Sequence, residues 1–272
     1  RLSRRGHKIT VYSRHWWDGK KNRIHAGMQL RAVGPPTELY TDGDRRSISS
    51  ALGLAGRLTK PIARSTHDLI ITPVAPYFHI FSTRLSTAIR QTPLVVTWHE
   101  VWDDYWYRHM GSTGWVGKII ERLAGHLPQH AVAPSRTTAR KLQSLASASP
   151  VEVIPNGIDF DYISSKPPIN GGCDVLYAGR LIEDKNIDLL IDSFDQCDTD
   201  ARLTIVGDGP AADQLHNHAA QSTVTDQIEF VGFLEEYDDV IAYMRAADIF
   251  VSPSIREGFG LTLLEAMAAG CT

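Results

Sequence analysis

Two series of short apolar runs, each run followed by a helix-like stretch, constrain the fold of this 272-residue chain most strongly. The predicted strands are residues 7–13, 68–73, 93–99, 130–135, 151–155, 173–179, 201–207, 227–233 and 247–254. The predicted helices are residues 83–91, 115–127, 136–146, 186–196, 210–222, 235–246 and 261–269. The strands are continuous apolar runs, which is typical of strands buried on both faces. This order predicts an α/β fold of parallel sheets with helices on both faces.

A segment without hydrophobic periodicity separates the two series. It is rich in Gly, Pro, Asn and Ser, a composition typical of connections between domains. We therefore predict an N-terminal domain at residues 1–156, a linker at 157–172 and a C-terminal domain at 173–272. Residues 1–6 are expected to end a helix at a glycine cap. The stretch 14–60 is assigned to no element.

The balance of charge reverses at the same break. Residues 1–150 contain 22 Lys and Arg against 9 Asp and Glu, whereas residues 151–272 contain 6 against 22. A basic half suits an anionic surface. We expect that surface to be a membrane rather than a nucleic acid, although both halves are equally compatible with plain solvated faces.

Composition excludes several other classes of protein. The chain is 43% hydrophobic and 22% charged, and no apolar run reaches the ~18 residues that a membrane span requires. The three cysteines are too few and too scattered for a disulfide framework or a zinc cluster. We expect a reducing, cytoplasmic environment.

The C-terminal stretch "REGFGLTLLEAMAAGCT" (256–272) carries two carboxylates around a helix start. Glu257 precedes the Gly-Phe-Gly turn and Glu265 lies inside the helix that follows. Glycines allow the backbone to approach a ligand, and the first turn of a helix offers unpaired N–H groups to an anion. Carboxylates accept hydrogen bonds from vicinal hydroxyls, as on a sugar. A glycine-bounded turn with two solvated acids remains the alternative.

The turn "YAGRLIEDKN" (177–186) holds two of the six cations of residues 151–272. Arg180 offers a planar fork to phosphate oxygens, and Lys185 offers a mobile point charge. The turn is therefore a candidate diphosphate site in an acidic domain. Surface ion pairs of these cations with Glu183 or Asp184 are the alternative.

Two further motifs are less specific. His99 in "TWHEVW" follows a predicted strand, where it can bind a sugar hydroxyl or serve a structural role, and no third metal ligand lies nearby. "GDGPAA" (207–212) fits the loose dinucleotide pattern G-x-G-x-x-A. It follows the second strand of its domain rather than the first, and Pro210 removes one N–H from the phosphate cradle, which disfavours NAD.

Four segments in this order resemble retaining glycosyltransferases of family 4: "VIPNGID" (153–159), "YAGRLIEDKN" (177–186), "LTIVGDGP" (203–210) and "REGFGLTLLEAMAAG" (256–270). "RRGHKITVYS" (4–13) and "VAPSRTTARKL" (132–142) fit the first domain of the same family. The resemblance implies the GT-B architecture, two Rossmann-like parallel-sheet domains facing across a cleft. It also implies a strand and glycine-rich loop before Arg1, and a strand and closing helix after Thr272.

The resemblance implies a role for each candidate residue. Glu257 contacts the donor sugar, Glu265 holds the nucleotide ribose, Arg180 and Lys185 bind the diphosphate, and His99 lies in the cleft. The further donor-binding positions are Gly179, Gly232, Phe233, Gly258, Phe259, Gly260 and Leu261.

The implied reaction moves a hexose from a nucleotide-sugar to a lipid-linked or glycan acceptor with retention of configuration. It needs no metal and no cofactor, and the protein is expected to be peripheral at the inner face of a membrane. The two glutamates are not expected to act as in a retaining hydrolase, whose carboxyl groups lie only ~5 Å apart. A non-catalytic subunit that binds a nucleotide-sugar, and a nucleotide-sugar epimerase, are the alternatives.

Overall fold

The structure is a computed structural model that describes residues 2–37, 47–88, 90–146 and 150–272. The chain divides into two compact units, Arg1–Pro155 and Asn156–Thr272. Within the described ranges, no helix is both long and apolar enough to cross a membrane.

The N-terminal unit begins with a three-stranded sheet in the order β1-β3-β2. Its strands are β1 (Thr10–Arg14), β2 (Asn22–His25) and β3 (Met28–Gly34). β1 and β3 are parallel, whereas β2 is antiparallel to β3, so an antiparallel hairpin adds to the parallel sheets that the sequence predicts. The cause is a two-residue hairpin turn at Ala26 and Gly27, which both have positive φ, as the twist of a hairpin requires. This hairpin occupies part of the stretch that the sequence left unassigned.

The rest of the unit is an alternating β/α series around a parallel four-stranded sheet in the order β4-β5-β6-β7. Its elements are α1 (Ile48–Ala63), β4 (Ile70–Pro73), α2 (Phe78–Ala88), β5 (Leu94–Thr97), α3 (Tyr105–Met110), α4 (Gly114–His126), β6 (His130–Ala133), α5 (Arg136–Leu145) and β7 (Val151–Val153). Helix α2 begins five residues before the predicted start at residue 83 because Ile80 packs into the core, where it is 0% exposed. Residue 89 of the predicted helix lies outside the described residues. Arg1 also lies outside them, and the expected terminal helix is a single 3₁₀ turn at Ser3–Arg5 that ends at Gly6.

The C-terminal unit is a parallel four-stranded sheet with helices. Its elements are α6 (Phe160–Ser164), β8 (Cys173–Ala178), α7 (Ile187–Asp195), β9 (Leu203–Val206), α8 (Ala212–Ala219), β10 (Ile228–Gly232), α9 (Tyr237–Ala246), β11 (Ala247–Phe250) and α10 (Leu261–Ala269). The segment expected to be a linker contains helix α6. Ile163 of this helix is 1% exposed and packs with Ile241 and Met244, so part of the segment belongs to the core of this unit.

The strand order β10-β9-β8-β11 determines where this unit can bind a ligand. The chain proceeds outward from β8 to β10 on one side and then returns to place β11 on the other side of β8. A crevice outside the carboxyl ends of the strands forms where the order reverses, and ligands of open α/β sheets bind there. The loops after β8 and β11 flank this point, and they carry both sequence motifs.

Candidate donor site

The loops that follow β8 and β11 are joined by an ion pair between two predicted site residues. The Nζ of Lys185 donates to the Oε1 of Glu257, and both side chains are partly buried, at 22% and 32% exposure. Lys185 ends a 3₁₀ turn after β8, and Glu257 lies in the loop before α10. The structure therefore brings together two residues that are 72 positions apart in the chain.

A second set of contacts joins the same loops. The Nη2 of Arg256 lies 3.4 Å from the Oδ2 of Asp184, and the Ile255 N–H donates to the Asp184 carbonyl at 3.2 Å. No site role was predicted for Arg256, and an ion pair of Asp184 with the cations of its own turn was only the alternative to a diphosphate site. The sequence did contain a signal for this pairing. One motif has two acids followed by a cation, and the other has a cation followed by an acid. The two turns therefore carry complementary charges, which allows them to pair across the crevice.

Glycines hold the β8 turn against the loop that follows β9. A Cβ on Gly207, where φ is 134°, would lie 1.9 Å from the carbonyl oxygen of Gly179. A Cβ on Gly209 would lie 2.3 Å from the carbonyl oxygen of Leu181. The chain's own β8 turn thus occupies the space above these glycines, which accounts for the dinucleotide-like pattern without a dinucleotide.

Arg180 stands at the base of the β8 turn. Its side chain is exposed, and its carbonyl accepts a hydrogen bond from the Tyr177 hydroxyl at 3.1 Å. Burial and the nearby Glu257 carboxylate raise the pKa of Tyr177, so this hydroxyl remains a donor at neutral pH. Tyr177 therefore fixes the backbone of the turn that carries Arg180.

Helix α10 begins at the turn between the two glutamates. Gly260 has φ 75° and is the N-cap, with no side chain that hydrogen-bonds to the first turn. Phe259 and Gly258 precede it, and Leu261 is 41% exposed at the helix start. The N-cap residue thus supplies no side-chain cap to the first N–H groups of α10, which suits an anion.

Glu265 is held separately from Glu257. It lies in α10 and accepts a hydrogen bond from the Tyr237 hydroxyl of α9 at 2.7 Å. Burial and this carboxylate raise the pKa of Tyr237, so the phenol donates at neutral pH. The contacts of the described residues join Glu257 to Lys185 and Glu265 to Tyr237, so each acid has its own support.

Gly232 and Phe233 lie at the far side of the sheet. Gly232 ends β10 with φ 83°, and its carbonyl accepts from the Gly207 N–H at 2.8 Å. Phe233 is 71% exposed. β10 and β11 are the two edge strands, so a ligand that reaches from Gly232 to Glu257 crosses roughly 14 Å of strand ends.

His99 belongs to the N-terminal unit. It is exposed and follows Trp98, which is fully buried after β5. The sequence analysis missed Glu121, a 0% exposed carboxylate that holds the segment after His99. Glu121 accepts from the Trp102 and Asp103 N–H groups, both at 2.8 Å, and also from the Tyr77 hydroxyl and the Trp106 indole. The signal was a single acid at helical spacing from the small residues Gly114, Gly117 and Ala124, which form the buried face of α4.

Among the described residues, no group of three or more His, Cys, Asp or Glu side chains is arranged to hold a metal ion.

Family models match both units. The Glycosyltransferase Family 4 model matches residues 1–162, and the model for Glycosyl transferases group 1 matches residues 160–272. The chain belongs to glycosyltransferase family 4.

One relative of this family 4 chain is a phosphatidyl-myo-inositol mannosyltransferase from Mycobacterium leprae. The two are 32% identical over 209 residues, which is 73% of this chain and 47% of the relative. The chain thus spans about half the length of this curated relative.

Solved structures establish the fold of the family 4 chain. A sucrose-phosphate synthase from Thermosynechococcus elongatus superposes with a TM-score of 0.77 at 18% identity, over 99% of this chain and 71% of that protein. Anabaena HepE, in complex with UDP-glucose, superposes with a TM-score of 0.67 at 21% identity, over 87% and 65%. The fold is the GT-B type with two Rossmann-like α/β domains, as the resemblance implied.

Proposed function

We propose that this family 4 chain transfers a hexose from a nucleotide-sugar to a lipid-linked or glycan acceptor with retention of anomeric configuration. The observation that carries the proposal is the pairing of Lys185 with Glu257 at the switch point of the C-terminal sheet, beside the uncapped start of α10. A cation, a carboxylate and the first N–H groups of a helix, all near one crevice, support a site for a sugar diphosphate. The UDP-glucose bound to the HepE structure, on the same fold, is in accord with such a donor.

The proposed chemistry depends on stabilising the leaving group. The bond from the anomeric carbon to the diphosphate oxygen breaks, and its electron pair goes to the diphosphate. Arg180, Lys185 and the N-terminus of α10 stabilise that charge without a metal or a cofactor. The acceptor hydroxyl attacks from the same face and gives its proton to the leaving phosphate oxygen, so no protein nucleophile is required. His99 binds a sugar hydroxyl during the transfer.

The other predicted positions complete the donor site in this proposal. Glu257 accepts from the donor sugar hydroxyls once the diphosphate engages Lys185, and Glu265 accepts from the ribose. The remaining donor contacts come from Gly179, Gly232, Phe233, Gly258, Phe259, Gly260 and Leu261.

Release of nucleoside diphosphate tests the reaction. The chain is incubated with a panel of nucleotide-sugars, each with and without lipid and glycan acceptors. Release only in the presence of an acceptor supports the transferase. Donor binding without release identifies a non-catalytic subunit, and isomerised donor identifies an epimerase, so either result rejects the transfer.

Substitution of the two glutamates separates their roles. Glu257→Gln should lower kcat by about 100-fold with little change in nucleotide affinity, because it removes a contact to the reacting sugar. Glu265→Ala should instead weaken nucleotide binding. Glu229→Gln is the matched control, since Glu229 lies on β10 near the amino end of the strand, away from the crevice. Equal nucleotide affinity in wild type and Glu265→Ala would refute the ribose assignment.

We also propose that the N-terminal unit associates with an anionic membrane surface on the cytoplasmic side. Trp115, Ile119 and Leu123 recur every four residues along α4 and are 53%, 48% and 55% exposed. Residues at this spacing share one helix face, and Arg122 beside them is also exposed. Apolar residues flanked by cations favour the interface of an anionic bilayer.

Sedimentation with vesicles tests this association. Wild type should pellet with vesicles that contain phosphatidylglycerol and less so as salt rises, because the charge component is screened. Ile119→Glu should reduce pelleting several-fold. The control is Leu189→Glu, which changes an exposed leucine of α7 in the acidic unit. Equal pelleting on neutral and anionic vesicles would remove the membrane surface from the proposal.

A further inference from the structure

A cavity of about 270 Å³ lies in the N-terminal unit, at the end of β1 and the start of α1. Arg14 of β1 and Arg57 of α1 line it, together with Thr37, Ser47 and Ser49. The lining is therefore cationic and rich in hydroxyl groups.

Arg14 is a buried cation whose partners among the described residues are backbone carbonyls. The residue is 5% exposed, and its guanidinium donates to the carbonyls of Pro35 at 3.3 Å and Ser50 at 2.5 Å. Across residues 2–37, 47–88, 90–146 and 150–272, no carboxylate forms an ion pair with it. Burial of a charge costs free energy unless an opposite charge accompanies it. The cavity that Arg14 lines has a volume that can hold such an anion.

The fold places a second guanidinium beside the first. Arg14 is the register partner of Gly34 across β1 and β3. A Cβ on Gly34 would lie 2.8 Å from the Cδ of Arg57, so the Arg57 side chain lies directly over that glycine. Burial and the charge of Arg57 both lower the pKa of Arg14. Two adjacent like charges repel, and an anion bound between them removes the repulsion.

Neutral donors complete the cavity. The Ser47 Oγ accepts from the Ser50 N–H at 3.2 Å and lies 3.0 Å from the Ser49 Oγ. The Thr37 and Ser50 hydroxyls lie 2.8 Å apart. Hydroxyl groups rotate to suit a ligand, and the guanidinium forks match phosphate oxygens. Several donors in different directions suit a tetrahedral anion better than a planar carboxylate.

We infer that Arg14 and Arg57 form a binding site for a phosphate monoester, distinct from the diphosphate site of the C-terminal unit. A phosphate monoester carries about −1.5 to −2 charges at pH 7, which matches two guanidinium groups. A phosphodiester carries a single charge and binds less tightly. This site also identifies the acceptor of the proposed transfer as a phosphorylated molecule. That part of the inference rests on the proposed function.

Calorimetry on the full chain tests the site with inorganic phosphate, glycerol 3-phosphate and glycerol. Wild type should bind the two phosphates and not glycerol. Arg57→Gln should weaken glycerol 3-phosphate binding by about tenfold, since it removes a charge-assisted contact. Lys60→Gln is the matched control, an exposed cation of the same helix outside the cavity, and should change affinity less than threefold.

Gly34→Ala provides a second variant that leaves both cations in place. Its added Cβ displaces Arg57, so it should also weaken phosphate binding.

Vesicles that contain phosphatidate distinguish the source of the phosphate: competition by these vesicles assigns a lipid head group, and competition by soluble sugar phosphates alone assigns a soluble ester. Absence of phosphate binding by wild type, or equal losses in Arg57→Gln and Lys60→Gln, would overturn the inference. The affinity for a UDP-sugar, measured in parallel, reports on the donor site alone. Loss of phosphate binding with an unchanged UDP-sugar affinity therefore counts against the phosphate site and not against the proposed transfer.

Discussion

The two units partner the cations of their candidate sites in opposite ways. In the C-terminal unit, Lys185 and Arg256 each lie against a carboxylate of the facing loop. In the N-terminal unit, Arg14 lies among carbonyl oxygens and beside Arg57, and no carboxylate pairs with it among the residues that the structure describes. Composition gives the reason, because residues 1–150 have 22 Lys and Arg but only 9 Asp and Glu.

The difference bears on how each unit meets an anion. A cation already paired with an acid is positioned before the ligand arrives, but the ligand competes with that acid. A cation without an acid has no competitor, and its repulsion from a second cation is relieved only by the ligand. If both proposed sites bind anions, the cations of the C-terminal unit mainly orient the ligand and those of the N-terminal unit mainly attract it.

The largest expected effect concerns Glu121, one of the few acids of the basic unit. Glu121→Ala should destabilise the N-terminal unit by about 3–5 kcal/mol, because it leaves several buried donors without an acceptor. Urea unfolding followed by tryptophan fluorescence measures it, since all six tryptophans lie in residues 1–150. Glu152→Ala changes an exposed acid of β7 and should have little effect. Equal losses in the two variants would show that Glu121 does not organise this unit.

The next effect concerns Lys185, the paired cation of the acidic unit. Lys185→Gln should lower kcat/KM by about 100-fold, because the leaving diphosphate loses one charged donor. The rate of diphosphate release measures it. Arg202→Gln is the control, since Arg202 is exposed and adjoins the amino end of β9. If both variants lose the same activity, general charge and not the ion pair is responsible.

A smaller effect is expected from the support of Glu265. Tyr237→Phe removes the hydrogen bond to that carboxylate and should weaken nucleotide binding by about fivefold, as one hydrogen bond to a charged group predicts. Calorimetry with the nucleoside diphosphate measures it. Tyr162→Phe removes a comparable hydrogen bond to Asp238, which lies on the same helix as Tyr237, and this variant serves as the control. An unchanged nucleotide affinity in Tyr237→Phe would show that the support of Glu265 by Tyr237 does not contribute to nucleotide binding.

The smallest effect is expected from the second ion pair of the crevice. Asp184→Asn should change the free energy of unfolding by less than about 1 kcal/mol, because the 3.4 Å pair with Arg256 is partly exposed. Urea unfolding followed by circular dichroism measures it. A loss above about 2 kcal/mol would contradict the view that these ion pairs orient the loops more than they stabilise the unit.

Nine strands, seven helices and the strongest site motifs were predictable from the sequence, whereas helices α1 (Ile48–Ala63) and α3 (Tyr105–Met110) were not predicted. Apolar runs and glycine caps are local signals, so the regular β/α series and the start of α10 followed from them. The hairpin of β2 and β3 did not, because the Ala26-Gly27 turn lies within a basic, aromatic stretch without clear alternation. Helix α6 was missed because its five residues are too few to show a period, and only the burial of Ile163 fixes it.

By itself, the sequence determined the fold class, the reversal of charge and the residue types of the candidate donor site, since each depends on composition or on neighbours along the chain. Only the tertiary structure decided which charges meet. Lys185 is paired with Glu257 and not with Glu183 or Asp184, and Arg57 lies over Gly34 beside Arg14. The reason is that strand order sets which loops share an edge, and strand order follows from the packing of the whole sheet.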